Sequence, residues 1–408
     1  MEMLALEDIR ILDLTHLPPG ALCTMLLADL GAEVIKVEAP PQVSGRSAAI
    51  ALTSSPKEEE KRKEAAHNAL NRNKKSMALN LRCEPGRQVF YRLARTADVI
   101  IESFRPGVVK RLKIDYNAIN KLNPRIIYCS LSGYGQDGPY RDLPGHNINY
   151  ISAGGALGLI GNREGSPIVP LDLIGLANIS LNGGLGILAA LIARNKTSKG
   201  QYVDIAYTDA VISLLTPLIN NYFLSGTMPK RGETALHGAY PYYGVYETKD
   251  GKYISLGCLE PWFWENLCQA LGKDEYISYH FSPEHLFQPP RDDKWREISS
   301  HLKKVFLTRT RDEWFEFLTK RNIPISKVYD LDEVLSDPQV LHRQMVIELK
   351  DPSLGKIKQV GIPIKLSETP GKVRSLSPLL GQHTEQILLE LNYSEEEIQS
   401  LHQTGAIS

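Results

Sequence analysis

The sequence predicts an α/β protein built on a parallel sheet with a second, smaller domain. Three observations carry this prediction. The chain opens with a strand, a helix and a second strand, strands then alternate with helices to about residue 206, and the pattern changes after about residue 225. With 408 residues, the chain is too long for one ordinary core, which favours two domains.

The opening unit is the clearest element of the pattern. Residues 9–14 form a short apolar strand, and a loop with two prolines follows it. Residues 21–30 carry apolar side chains at helical spacing, and Gly31 ends the predicted helix as a C-terminal glycine. Residues 32–38 form the next strand, and this order is typical of a parallel sheet.

The same alternation continues through the first half of the chain. A long segment rich in glycine and alanine predicts a buried helix that packs closely on its neighbours, at residues 179–194. The other predicted elements are a helix at 88–96 and strands at 98–102, 125–131 and 201–206. A dense charge run at 56–64 predicts an exposed helix or a mobile loop.

After about residue 225 the sequence predicts a hairpin and several helices. Residues 240–247 and 253–256 flank the turn pair Asp250-Gly251. Helical segments follow near 262–271, 293–306 and 311–320, and Ser394 starts a helix near the end of the chain. We predict a large domain at 1–225, a small domain at 226–329, and a return segment at 330–408 that completes the large domain.

Composition and charge limit the classes of partner that the protein is expected to bind. The formal net charge is zero, which gives no electrostatic case for a nucleic-acid or membrane partner. The five cysteines have no metal-site or disulfide spacing, and no secretory signal or membrane span stands out, so we predict a cytoplasmic protein without a metal. The basic cluster at 72–75 is either a solvated face or an anchor for a phosphorylated small ligand.

Two loops carry the side chains that could move protons. His146 lies in the segment 145–150, which follows the glycine-rich run 132–139. Glu260 lies in a Gly/Pro loop after an apolar strand. A histidine and a carboxylate in such loops could form a proton-transfer pair. Cys258, beside this loop, is predicted to be a buried small residue rather than a nucleophile.

Several segments in order along the chain resemble CoA-transferases of family III, which include formyl-CoA and carnitine-CoA transferases and 2-methylacyl-CoA racemases. The segments that carry the resemblance are 27–38, 71–76, 104–107, 133–136, 186–191 and 198–204. The resemblance implies a large CoA-binding α/β domain, a smaller domain, and an interlocked dimer of two chains. It also implies an acyl-CoA thioester as substrate and no covalently bound cofactor.

The segment that begins with His146 and the loop at 257–261 are similar to the racemase branch of the family. By resemblance, His146 is one acid/base and Glu260 orients it or shares its proton. The family's second acid, which is the nucleophile of the transferases, falls at Gly175 or Leu176, and neither is an acid. Asn147 also stands where the racemase motif has an aspartate.

Four explanations of the missing acid remain open. Asp172, the nearest carboxylate, could serve after a local shift, or His146 and Glu260 could do one-sided proton chemistry. The chain could instead be a nucleophile-less subunit that pairs with a paralogue, as in benzylsuccinate-type CoA-transferases, or carry an engineered substitution. Three functions therefore remain open. The favoured one is a racemase or epimerase of 2-substituted acyl-CoA. The alternatives are a subunit of an acyl-CoA:carboxylate CoA-transferase and a non-catalytic CoA-binding protein.

The resemblance also implies which residues contact CoA, since lysine and arginine suit its phosphates. These predicted contacts are His16, Pro19, Lys36, Asn73, Lys75, Arg105 and Tyr150.

Overall fold

A computed structural model of the chain describes residues 3–41, 43, 58–280 and 293–408. The chain divides into two compact units. The first consists of Met1–Gly154, Leu171–Val211 and Gln339–Ser408, and the second of Gly155–Pro170 and Ile212–Pro338. The predicted small domain, 226–329, therefore falls inside the second unit, which also takes in two earlier segments of the chain.

The first unit is built on a six-stranded sheet in which every neighbouring pair is parallel. Its spatial order is β3-β2-β1-β4-β5-β6, so the chain winds outward from β1 in both directions. This arrangement confirms the predicted α/β class. The strands are β1 (Arg10–Leu14), β2 (Glu33–Glu38), β3 (Lys74–Ala78), β4 (Val99–Glu102), β5 (Ile127–Ser132) and β6 (Tyr202–Ala206).

The remaining strands form two small antiparallel sheets. Their order is β7-β8-β9 in the second unit and β10-β11 in the first. Their bounds are β7 (Tyr243–Glu247), β8 (Tyr253–Gly257), β9 (Ile325–Val328), β10 (Val346–Asp351) and β11 (Gly355–Val360).

The described residues contain seventeen α-helices. They are α1 (Pro18–Asp29), α2 (Glu58–His67), α3 (Glu84–Thr96), α4 (Val108–Arg111), α5 (Tyr116–Asn120), α6 (Asn147–Ala153), α7 (Ala156–Leu159), α8 (Leu173–Thr197), α9 (Tyr207–Leu214), α10 (Thr216–Ser225), α11 (Pro261–Ala270), α12 (Asp293–Phe306), α13 (Arg311–Thr319), α14 (Leu331–Val334), α15 (Pro338–His342), α16 (Thr384–Glu390) and α17 (Glu395–Gln403).

Both faces of the parallel sheet are buried. Successive side chains of β1 point to opposite faces, so Leu12 joins a core with α3, α16 and α17, whereas Ile11 joins a core with α1 and α8. Continuous apolar strands are typical of sheets that are covered on both sides. Gly31 follows the end of α1 with φ +119°, as predicted for a helix C-terminus.

The second unit has its own aromatic core around the predicted hairpin. Strands β7 and β8 pair in antiparallel register, and Gly251 has φ +71° in the turn between them. The rings of Tyr242, Trp264, Phe306 and Trp314 are buried in this core with the neighbouring aliphatic side chains. The hairpin and the three helices predicted after it, now α11, α12 and α13, are confirmed.

The basic cluster at 72–75 is not a solvated face, and that interpretation is wrong. Arg72 is 1% exposed and donates two hydrogen bonds, of 3.0 and 2.6 Å, to the two carboxylate oxygens of Asp29. Lys74 is also buried, and its Nζ lies 3.1 Å from Oδ2 of Asp13. Both carboxylates come from segments far away in sequence, which is why the cluster alone could not reveal them.

Helix α8 is longer than predicted. Its part from Ile174 to Thr197 is the one helix of the described residues that is long and apolar enough to cross a membrane, by length and composition only. Only 39% of its apolar window is buried in the structure. One face packs on α1, β5 and β6, as in a core helix, and Leu181, Leu185 and Ile192 are exposed on the other. A single helix of this kind is weak evidence for a membrane span.

Candidate functional site

The strand order creates a crevice at the carboxyl ends of β1 and β4. The chain leaves these neighbouring strands toward opposite sides, and such a switch point is where open α/β sheets bind ligands. His16 follows β1, and its backbone N–H donates a 3.3 Å hydrogen bond to Oγ of Ser103 after β4. The ring of His16 meets the ring of Phe104 edge to face at 4.8 Å. Arg105, the next residue, lies at the same edge of the sheet.

Helix α1 begins in this crevice. Leu17 is its N-cap and provides no side-chain cap, and Pro18 and Pro19 are the first helical residues, a position that suits proline. Gly20 packs so closely on Thr15 that a Cβ there would lie 2.3 Å from the Thr15 Cβ. The backbone of β1, the loop and α1 can therefore approach one another only with glycine at this position.

A buried charge network fixes the loop between β1 and α1. The carboxylate of Asp13 accepts hydrogen bonds from the N–H and Oγ of Thr15, the Oγ of Thr24 and the Nζ of Lys74. Burial alone would raise the pKa of Asp13, but Lys74, Lys36 and the two hydroxyls lower it to about 2. Asp13 is therefore ionised and holds the crevice wall in place.

Lys36 is a further cation on the same face of the sheet. It is paired in register with Asp13 on β1 and is 8% exposed. Among the described residues it has no hydrogen-bond or ion-pair partner within bonding distance, in contrast to Lys74. The protein atoms around His16 lower the pKa of its imidazole by desolvation, and the charge of Lys36 lowers it further. His16 is therefore neutral beside a cation at neutral pH.

A buried carboxyl group lies on the other face at the end of β4. Burial raises the pKa of Glu102 to about 7, although hydrogen bonds from Ser130 Oγ and from the N–H of Phe104 oppose this rise. Glu102 was not among the predicted site residues, although it ends a predicted parallel strand, where such sheets bind their ligands.

The ring of Tyr150 explains why positions 133 and 145 are glycines, the first in the glycine-rich run and the second directly before His146. A Cβ on Gly133 would lie 2.3 Å from Cε1 of Tyr150, and one on Gly145 would lie 2.6 Å from the same atom. The hydroxyl of Tyr150 donates a 2.5 Å hydrogen bond to the carbonyl of Gly145. The tyrosine ring thus packs on the backbone that leads to His146. Arg105 is close enough to lower the pKa of Tyr150, though burial has the larger, opposite effect.

His146 is the N-cap of α6 and its side chain is exposed. Its backbone N–H donates a 3.0 Å hydrogen bond to Oδ1 of Asn149, which fixes the start of the helix. The following residue, Asn147, turns its side chain inward, and its Oδ1 is buried without a hydrogen-bond partner among the described residues. The imidazole is therefore accessible to a ligand while its neighbour packs on the protein.

The two positions that the sequence left open for the missing acid, 175 and 176, lie in the first turn of α8. Gly175 is buried, and a Cβ built on it would lie 1.7 Å from Oδ1 of Asn147 and 3.0 Å from Cε1 of Tyr207. Leu176 is less buried than Gly175. The backbone at 175 therefore adjoins the residue after His146.

Asp172 precedes this position as the N-cap of α8 and is exposed. Its charge helps to raise the pKa of Tyr207, for which burial is the main cause. The rings of Tyr207 and Tyr150 lie 4.9 Å apart. Tyr207 therefore joins Asp172, Gly175 and Tyr150 in one neighbourhood. The sequence missed it, although it directly follows the carboxyl end of β6.

Glu260 lies in the second unit as the half-buried N-cap of α11. Its carbonyl accepts hydrogen bonds from Phe263 and Trp264. Burial, with a smaller contribution from Glu260, raises the pKa of the Cys258 thiol to about 12. Cys258 is thus a buried residue, as predicted, and its thiol is protonated at neutral pH. The pairing of Glu260 with His146 stays a prediction.

Two of the predicted CoA contacts have structural tasks. The side chain of Asn73 donates to Oδ1 of Asp29 and accepts from the backbone of Arg374 and Ser375. Lys75 lies 2.8 Å from Glu33 and 3.2 Å from Glu390. Both side chains are bonded to other residues of the protein, and their contact with CoA stays a prediction. The described residues contain no cluster of three or more histidine, cysteine, aspartate or glutamate side chains suited to a metal.

The fold and this neighbourhood define the class: a two-unit α/β enzyme with a doubly wound sheet and a cationic crevice at its switch point. The particular family follows from comparison of the whole chain. The family model described as CoA-transferase family III matches residues 6–384, and the chain belongs to that family. The resemblance seen in the sequence is thereby confirmed.

Named relatives of this chain have two activities. It is 31% identical to the alpha-methylacyl-CoA racemase of Homo sapiens over 401 residues, 98% of this chain and 96% of that one. It is 33% identical to the formyl-CoA:oxalate CoA-transferase of Rhodopseudomonas palustris strain TIE-1 over 424 residues, 98% and 97% of the two chains.

Among solved structures, the chain is similar to a CAIB/BAIF family protein from Brucella suis. The TM-score is 0.79 at 28% identity, and the match covers 96% of this chain and 100% of that one.

Proposed function

We propose that this chain is a racemase or epimerase of 2-substituted acyl-CoA thioesters. One observation carries the proposal. His146 is exposed at the start of α6, while the two positions open to the second acid, Gly175 and Leu176, cannot supply a nucleophile. Proton chemistry next to the thioester requires the histidine, whereas CoA transfer requires a carboxylate that carries the acyl group. The similarity to a racemase over nearly the whole chain supports this choice.

The chemistry needs a base for a weak carbon acid. The proton at carbon 2 of an acyl-CoA is acidified by the thioester carbonyl, and its removal gives an enolate whose charge must be stabilised. We propose that the imidazole of His146 takes this proton. Glu260 would orient that imidazole and favour its charged form, in the way a neighbouring carboxylate does.

We propose that CoA occupies the crevice at the switch point, with its phosphates near Lys36 and Arg105. Lys36 supports this proposal because it is a buried cation without a bonded partner among the described residues, and such a group gains most from an anionic ligand. His16, Pro19 and Tyr150 would line the same ligand. Asn73 and Lys75 would act indirectly, since their side chains bond to the protein.

The transferase alternative requires a nucleophile from elsewhere. Asp172 is the nearest carboxylate, one turn before Gly175, and it is exposed as the N-cap of α8. A paralogous chain with an intact acid would be the other source. The chain's similarity to a formyl-CoA:oxalate CoA-transferase keeps this alternative testable, but no contact in the described structure favours it over the racemase.

We further propose that two chains form an interlocked dimer in the cytoplasm. The exposed apolar stripe of α8 supports self-association, because Leu181, Leu185 and Ile192 lie on one side of a helix and are each more than half exposed. All five cysteines are free, as is usual in a reducing compartment.

The test is exchange of the proton at carbon 2. A 2-methylacyl-CoA of single configuration is incubated with the protein in deuterated water, and deuterium incorporation is followed by NMR. Exchange that disappears in His146→Ala and persists in Asp172→Asn supports the proposal. Absence of exchange, with CoA transfer that appears only after a paralogous chain is added, would contradict it. Tight CoA binding with neither activity would mark a non-catalytic CoA-binding protein.

A further inference from the structure

A cavity of about 240 Å³ lies beside the edge strand β3 in the first unit. Its wall is formed by α2, by the end of β10 and by the segment that leads into α16, together with Lys74. The described residues that line it include none of the proposed CoA contacts. The volume corresponds to about eight water molecules, so the cavity suits a small metabolite and is too small for CoA.

His383 contributes a hydrogen-bond donor to the wall of this cavity. Its Nδ1 accepts a 3.1 Å hydrogen bond from the backbone N–H of Ser76. Burial lowers the pKa of His383, and the charge of Lys75 lowers it further, so the ring is neutral at neutral pH. A neutral imidazole that accepts at Nδ1 carries its hydrogen on Nε2. Because Nε2 bonds to no described residue, this N–H remains for a ligand.

Two further lining side chains have their acceptor atoms bonded within the protein. Oε1 of Gln382 accepts a 2.9 Å hydrogen bond from the N–H of Leu379, so its NH₂ group is the part that remains. Oδ1 of Asp351 accepts from the N–H and Oγ of Ser353, and its Oδ2 accepts from Arg62. These bonds, those from Ser353 above all, lower the pKa of Asp351 to about 2. Asp351 is therefore ionised, and Arg62 balances its charge.

Lys350 brings a positive charge that no described residue balances. It lines the cavity, and its Nζ has no hydrogen-bond or ion-pair partner within the described part of the chain. In the antiparallel pair of β10 and β11 it lies directly opposite Lys356, and like charges in that position destabilise a sheet. Lys356 itself is paired with Glu348 at 2.7 Å. An anion beside Lys350 would therefore relieve an unfavourable interaction.

We propose that this cavity binds a small oxyanion of the phosphate or phosphate-ester class. Gln382 and His383 offer donors, and Lys350 supplies the charge. Arg62 adds its Nη1 group, which bonds to none of the described residues. Charge-assisted hydrogen bonds from such groups to phosphate are among the strong ones. The site is separate from the proposed CoA crevice and does not depend on the racemase function.

Isothermal titration with inorganic pyrophosphate tests the site. The native protein should bind it, and Lys350→Met should weaken binding roughly tenfold or more, because a charge-assisted contact is lost. Lys356→Met is the matched control, since it removes the same charge from the opposite strand at a side chain that is 68% exposed and does not line the cavity. Its effect should stay below about threefold. Equal losses in the two variants, or no binding at millimolar pyrophosphate, would overturn the proposal.

The phosphates of CoA have the same chemistry, so a second titration separates the two sources of phosphate. Pyrophosphate is titrated into protein that is saturated with CoA, and into Lys36→Met without CoA. Binding that persists in both cases supports a site of its own. Binding that is lost in both cases would place pyrophosphate in the CoA crevice and contradict the proposal.

His383→Asn tests the donor of the imidazole. Asparagine can still accept from Ser76 at the position of Nδ1, but it lacks the N–H at the position of Nε2. Pyrophosphate should raise the Tm of the native protein by mass action, and should raise it less in His383→Asn and in Lys350→Met. A rise in both variants as large as in the native protein would show that neither side chain contacts the anion and would overturn the proposal.

Discussion

The ammonium nitrogen of Lys74 lies 3.1 Å from Oδ2 of Asp13, and neither side chain is exposed to solvent. This pair joins β3 to the end of β1, where the crevice opens, and two threonines complete its hydrogen bonds. The neighbouring Lys75 points away and makes ion pairs that are partly exposed. The two adjacent lysines are therefore expected to contribute differently to stability, and a substitution of each one can measure the difference.

Lys74→Met is expected to lower the free energy of unfolding by about 3–5 kcal/mol, because it leaves the carboxylate of Asp13 buried without its partner. Lys75→Met removes the same charge from a partly exposed site, so its cost should stay below about 1 kcal/mol. Urea denaturation of both variants measures the difference. Equal costs would mean that the buried pair does not stabilise the crevice.

Glu102 should make stability depend on pH. Its folded pKa is raised to about 7, from an ordinary value of 4.5, so the folded state holds a proton that the unfolded state has lost in this window. Its contribution to stability therefore falls as pH rises from 4.5 to 7, by up to about 3 kcal/mol.

Glu102→Gln removes that titration. The stability of the variant relative to the native protein should rise from pH 5 to pH 8, as measured by urea denaturation at each pH. A constant difference between the two proteins across this range would show that the carboxyl is ionised in the folded state at both ends.

The proposed CoA crevice predicts a loss of affinity when its cations are removed. Lys36→Met and Arg105→Met should each weaken CoA binding about tenfold or more, because each would remove a charge-assisted contact to phosphate. Isothermal titration with CoA measures the affinities, and Lys121→Met, an exposed lysine after α5, is the control. Unchanged affinity in both crevice variants would contradict the proposal that CoA binds at the switch point.

The apolar stripe of α8 predicts an effect on assembly. Leu185 is 67% exposed, so a charge there should leave the fold intact and disturb only a surface that another chain covers. Leu185→Glu should shift a dimer toward monomer in light scattering coupled to size-exclusion chromatography. Leu331→Glu, at a leucine on α14 that is 83% exposed, is the control. A Leu185→Glu variant with the native mass would argue against α8 as the contact.

Local patterns predicted much of the fold. The opening strand, helix and strand, the glycine after α1 and the hairpin at Asp250 all follow from spacing and turn chemistry, which act over a few residues. Strand β3 was missed because it begins with two lysines, and a lysine pair has no apolar alternation. Its Lys74 is buried only because Asp13, 61 residues earlier, is its partner.

The site could be predicted only in part for the same reason. His146 and the loss of the acid near residue 176 are visible in the sequence by resemblance. The contact between Asn147 and Gly175 is not, because it depends on how α6 packs on α8.

Deuterium exchange at carbon 2 of a single-configuration 2-methylacyl-CoA tests the central claim most directly. The protein alone, in deuterated water at neutral pH, should incorporate deuterium, and His146→Ala should reduce the rate by roughly 100-fold or more. No incorporation by the native protein, with CoA transfer appearing only when a second family III chain is added, would contradict the account.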